Sequence, residues 1–146
     1  MKKILLAFLI ITSVIASKAQ DSSSGQQAVQ MLKEFYTAYN TAWSTTKGYV
    51  LIKKLDSLQR KYCTKKLRNE VKEIGLDHDP LIGIDYTDVE HLKTLSITKD
   101  PGNANGYIVF YMAHTLSASN KPTDEKVVIH VIVVKEEGVA KIASVS

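Results

Sequence analysis

Cysteine is nearly missing from this sequence: Cys63 is the only one in 146 residues. No internal disulfide can form, so core packing has to hold the fold together. No flanking signature marks Cys63 as a nucleophile, and a free thiol commonly behaves as a small buried hydrophobe. Surplus charge is also scarce. The chain has 19 Lys+Arg against 15 Asp+Glu, but residues 1–19 hold Lys2, Lys3 and Lys18 and no acid. The remainder stands at 16 basic against 15 acidic residues. A nucleic-acid footprint needs clustered positive charge, so no nucleic-acid partner is expected. The clusters Lys53-Lys54, Arg60-Lys61 and Lys65-Lys66-Arg68 have Asp56, Glu70 and Glu73 nearby, which fits a solvated helix face. There are no internal repeats and no motif that compels a reaction, a metal or a cofactor.

What is present begins with the N-terminus. Lys2 and Lys3 precede an apolar run from Ile4 to Ile15. That run is inside the range of a signal-peptide core and short of the ~20 residues a membrane span needs. Ser17-Lys18-Ala19 supplies small residues at the −3 and −1 positions of a cut after Ala19. The expectation is a signal peptide over 1–19, a mobile leader over 20–25 and a single domain over 26–146. No cysteine lies near the cut, so no lipid anchor is expected. The mature protein would be periplasmic or secreted, with no stable membrane anchor.

Ser24 with Gln27 three residues on is a capping-box pattern that predicts a helix start. Val29, Leu32, Tyr36, Tyr39 and Trp43 then recur at spacings of three and four, with Phe35 widening the stripe. Thr45-Thr46-Lys47-Gly48 breaks this helix. Val50, Leu51, Leu55, Leu58 and Tyr62 continue at helical spacing. Thr64 is placed to cap a third helix bearing Leu67, Val71 and Ile74, with Gly75 at its stop. The stretch from Leu76 to Asp88 reads as irregular. The period then becomes alternating: strands are predicted over Lys93–Lys99, Tyr107–Leu116, Lys126–Lys135 and Val139–Val145. Short connections imply antiparallel neighbours. The third strand is apolar on both faces, so it should be central. The fold class is α+β, with N-terminal helices packed on a curved four-stranded antiparallel sheet.

Three stretches carry a resemblance: Lys33-Glu34-Phe35-Tyr36-Thr37-Ala38-Tyr39-Asn40, Lys61-Tyr62-Cys63-Thr64-Lys65-Lys66-Leu67, and Leu76-Asp77-His78-Asp79-Pro80-Leu81 followed by Asp85 and Leu92-Lys93-Thr94-Leu95. In this order they resemble a family of small exported bacterial proteins known only as a domain of unknown function. That family is grouped with the cystatin-like, nuclear-transport-factor-like superfamily. The resemblance runs from about Gln26 to Val145. It implies a cone-shaped sheet wrapped around a long N-terminal helix with a pocket between them, and it makes a homodimer through the sheet plausible. The superfamily holds isomerases, dehydratases and binding modules, so the fold alone assigns no activity.

Three constellations are candidates for chemistry. The first is the acidic stretch Asp77, Asp79, Asp85 and Asp88 with His78 and His91. Pro80 and the apolar residues after it break a calcium-loop scheme, and a turn fixed by Asp77 or Asp79 ahead of Pro80 explains it as well, so no metal is expected. The second is an acid/base set inside the cone, drawn from Tyr36, Tyr39, Tyr111, His114 and His130. The predicted strands contain no Asp or Glu, so a carboxylate would have to come from the Asp77–Asp85 stretch. The third is binding without chemistry, in a pocket lined by Tyr36, Tyr39, Trp43, Asp77, Asp79, Tyr111 and His114. No catalytic residue is assigned and no cofactor is expected. The reading is a non-enzymatic binding or interaction module for a small-molecule ligand or an envelope protein, with an immunity or inhibitor protein as a special case. The alternative is a small isomerase- or hydrolase-like enzyme in the cone. A carboxylate about 3 Å from a Tyr or His inside the pocket would favour the enzyme.

Overall fold

A computed structural model describes residues 2–74, 79–84, 88–116 and 122–146, with side chains from Ser24 onward except at 115, 116 and 122. Three helices come first: α1 (Lys2–Thr45), α2 (Gly48–Tyr62) and α3 (Lys65–Ile74). A 3-10 helix (Val89–Thr94) leads into β1 (Ser96–Lys99), β2 (Gly106–Leu116), β3 (Pro122–Glu136) and β4 (Val139–Val145). The strands form one antiparallel sheet in the order β1-β2-β3-β4, which is not closed. The helices lie N-terminal to the strands, as the change of period predicts.

The stripe on α1 is the centre of the core. Leu32, Phe35, Tyr36 and Tyr39 are fully buried, and Phe35 contacts Tyr39 and Tyr62 at ring separations of 4.9 and 5.6 Å. Alternate residues of the sheet meet this stripe: Tyr107, Val109, Tyr111 and Ala113 on β2, and Val127, Ile129, Val131 and Val133 on β3. β3 sits between β2 and β4, in agreement with its two apolar faces.

The α2–α3 junction is tied to the sheet. Cys63 makes a parallel bridge with Ile142, and the Thr64 backbone N–H donates to the Ile142 carbonyl at 2.8 Å. The Thr64 side chain accepts from Leu67 N–H at 3.3 Å, which is the expected cap of α3. Lys141 Nζ donates to the carbonyls of Arg60 and Lys61, unsatisfied acceptors at the end of α2.

Four sequence expectations differ from the structure. Ser24 and Gly25 lie inside α1 rather than at its start. The strand predicted from Lys93 begins only at Ser96, because Asp88 and His91 form a capping box that winds Val89–Thr94 into a 3-10 helix. β3 extends back to Pro122, so the sheet does contain Asp124, Glu125 and Glu136. His114 and His130 sit on the outer face of the sheet, where strand alternation puts them opposite Tyr111 and Ile129. Gly75, Asp77, His78 and Asp85 lie outside the described residues.

Candidate functional site

Asp79 is the one described member of the Asp77-His78-Asp79 triplet, and it turns inward. Its Oδ1 accepts from the backbone N–H of Leu81 at 2.9 Å, an Asx turn made ahead of the chain reversal at Pro80. Its carbonyl accepts from Ile82 and Gly83 N–H, both at 3.2 Å. Gly83 closes the turn at φ +67°, pressed against Ile129 and Val127. Tyr111 donates its hydroxyl to the Ile82 carbonyl from the floor of the sheet.

The Asp79 Oδ2 atom accepts from the Tyr39 hydroxyl at 2.7 Å. That hydroxyl in turn accepts from Gln59 Nε2, also at 2.7 Å. Gln59, Tyr39 and Asp79 are all buried. A chain of this kind, with each member hydrogen-bonded to the next, specifies one arrangement of α1, α2 and the turn.

Burial pushes the Tyr39 phenol far above its ordinary value, and the Asp79 charge beside it pushes the same way. Tyr111 is raised by burial and then by Asp79. Tyr36 is raised by burial first, with smaller contributions from Tyr111, Cys63 and Asp79. The Cys63 thiol is pushed up to about 12, by burial and then by Asp79. These phenols stay neutral at physiological pH. The Tyr36 hydroxyl is buried and has no partner among the described residues.

On its outer side the cluster borders a cavity of about 470 Å³ between α2 and α3. Ile52, Leu55, Asp56, Gln59 and Arg60 line it from α2, a stripe with one-turn spacing. Val71 and Lys72 line it from α3, Lys53 stands at the rim, and Asp79 completes the wall. Asp56 is bridged by Arg60 at 2.8 Å and approached by Lys72 at 3.7 Å. The Arg60 hydrogen bond holds its carboxyl below the usual carboxylate value. The cavity therefore has apolar sides, a cationic mouth and a buried polar inner wall.

The expected site residues are only partly brought together. Tyr36, Tyr39 and Tyr111 converge near Asp79, but as core residues rather than as the lining of an open pocket. Trp43 is half-buried at the far end of the α1 stripe. His114 is exposed and pairs with Asp124 across β2 and β3, Nδ1 to Oδ1 at 2.6 Å. Asp88 caps the 3-10 helix, so Asp79 and Asp88 serve separate turns. Among the described residues no His, Cys, Asp or Glu group has the arrangement of a metal site. Sequence reasoning missed Gln59. The available signal was a polar residue one turn from Leu55 and Tyr62, inside an apolar stripe.

Fold and site together define an α+β domain with a helical layer over an open antiparallel sheet and a polar cluster walled into the helical side. No family model and no curated protein matches the chain. A crystal structure of a protein of unknown function from Bacteroides thetaiotaomicron is similar, with 30% sequence identity, a TM-score of 0.77, and coverage of 91% of this chain and 98% of that one. This chain belongs to the same family as that protein.

Proposed function

We propose that this chain is an exported, non-enzymatic binding module whose ligand enters the cavity between α2 and α3. One observation carries the reading: apolar walls close on the buried pair Gln59 and Asp79, the form a small-molecule site commonly takes. Export rests on the N-terminal pattern. The charged start, the apolar run to Ile15 and the small residues before Gln20 support a signal peptide cut after Ala19 and a periplasmic or secreted product. Among the described residues no helix is long and apolar enough to cross a membrane. Kinship with the cystatin-like, nuclear-transport-factor-like superfamily belongs to the same proposal, supported by the order of helices and sheet. So does pairing of two copies through the sheet, whose outer face carries Ile108, Phe110, Met112, Val128 and Ile132. An immunity or inhibitor role is the protein-binding form of this reading.

Native mass spectrometry of the mature protein, purified from its own envelope fraction, tests it. A retained small molecule lost in an Ile52→Trp variant is the expected outcome, since Ile52 lines the cavity. A clean dimer or a protein complex with no small ligand would move the function to the sheet.

The enzyme reading has one observation in its favour, the 2.7 Å contact between Tyr39 and Asp79. Against it, a general acid works best with a pKa near the operating pH, and burial drives the Tyr39 phenol the other way. Turnover of an envelope substrate that is lost in Asp79→Asn with the fold intact would establish the enzyme.

A further inference from the structure

The inner wall of the cavity carries a carboxyl group with no cationic partner among the described residues. Asp79 is 4% exposed. Its partners are the Tyr39 hydroxyl and the Leu81 N–H, both uncharged. The ion pairs among the described residues involve Asp56, Glu70, Glu90, Asp100 and Asp124, and none involves Asp79. Buried carboxylates are ordinarily matched by a cation, because removing a charge from water is costly. Burial raises Tyr36, Tyr39, Tyr111 and Cys63, and the field of Asp79 adds to it at all four.

The carboxylate has capacity to spare. A carboxylate offers about four acceptor positions, and two hydrogen bonds to the side chain are in place. Asp79 lines a cavity, and so does Gln59, which Tyr39 links to its Oδ2, so a cation can come from outside. A hard metal ion fits poorly, since it needs six or more oxygen ligands and the described lining offers side-chain oxygen only from Asp56, Gln59 and Asp79, beside Ile52, Leu55, Val71 and three cations. An ammonium group on a short apolar body fits both the charge and the walls. At the mouth, Lys53, Arg60 and Lys72 outnumber Asp56, which favours an anionic group on the outward side of the ligand.

We infer that the cavity takes a compact apolar primary amine, its ammonium against Asp79 and its body against Leu55 and Val71, with a carboxylate on the same carbon as the ammonium turned toward the mouth, as in an apolar α-amino acid. This rests on the cavity being the ligand site.

Calorimetric titration of the purified protein at pH 7 with L-leucine, 3-methylbutylamine and 4-methylpentanoic acid tests it. Both amines bind, L-leucine the tighter. The acid, which lacks the ammonium, binds at least ~30-fold more weakly than L-leucine, the scale of losing one desolvated charge partner. Asp79→Asn weakens L-leucine to a similar degree. Should that variant not fold, the three-compound comparison on the unaltered protein decides. Failure of both amines to bind, or acid binding as tight as theirs, overturns the inference. Acid binding that Ile52→Trp abolishes would do so while leaving the cavity as the site. Amine binding that Ile52→Trp leaves unchanged would overturn the cavity reading itself.

Discussion

Tyr39 donates its phenolic hydrogen to Asp79 at 2.7 Å, joining the C-terminal part of the first helix to a turn forty residues later in the chain. The same oxygen accepts from Gln59, so one hydroxyl fixes three segments. Tyr39→Phe strands a buried carboxylate oxygen and a buried amide, and should cost about 2–4 kcal/mol. Tyr36→Phe, three residues earlier on the stripe, removes a hydroxyl with no partner among the described residues and should be neutral or slightly stabilising. Urea unfolding of the two variants checks the contrast. Equal losses would mean that the hydrogen bonds to Tyr39 contribute little.

Stability should fall at alkaline pH. Cys63, Tyr36, Tyr39 and Tyr111 all have folded-state values above their ordinary ones of 9.0 for the thiol and 10.0 for the phenols. The unfolded chain releases these protons first, so their contribution is complete below about pH 9 and is lost as pH rises above it, by up to ~1.4 kcal/mol per pH unit for each group. His91 acts at the acid end. Burial lowers its value below 6.5, with Asp88 opposing, so its contribution is present above that pH and lost below it. Urea midpoints measured from pH 5 to 10.5 should show both declines. A midpoint that stays flat from pH 8 to 10.5 would contradict the burial of the phenols.

Cys63 should be inert in the native protein. With its thiol at about 12 and the residue buried, little thiolate exists at pH 8. Iodoacetamide should label it at least on the order of 100-fold more slowly than in guanidinium. Fast native labelling would show that the α2–α3 junction opens.

Gly83 is the residue on which the Asp79 turn depends. An alanine there would sit at positive φ and meet Ile129 and Val127 at 3.3 Å. Gly83→Ala should cost about 1–3 kcal/mol, read by thermal or urea unfolding. A loss near zero would mean that the turn can shift outward without disturbing the sheet.

Much of the fold could be read from periodicity. Val139–Val145 coincides with β4, and Leu32, Phe35, Tyr36 and Tyr39 are the centre of the core, because a buried stripe leaves a regular trace in the sequence. The 3-10 helix left a weaker trace, since its cap uses His91 where a glutamate or glutamine is the usual signal. The site was half legible. Tyr39 and Asp79 were both candidates, but nothing in a linear pattern says that they touch each other. Gln59 was hidden because polar residues on amphipathic helices are ordinarily assigned to solvent, and only the tertiary position of α2 turns this one inward. His114 and His130 were misplaced by one step of strand alternation, which moves a side chain to the other side of the sheet.

The bond from Thr64 to Ile142 has a consequence for how the chain is completed. The latch that holds the α2–α3 junction to the sheet lies in β4, the last strand of the sheet in chain order. A nascent chain that has not yet released β4 therefore carries finished helices whose tie to the sheet at Cys63 and Thr64 is still unmade. Closure of that junction waits for β4, and loss of the strand should unfasten a link made to residues nearly eighty positions earlier.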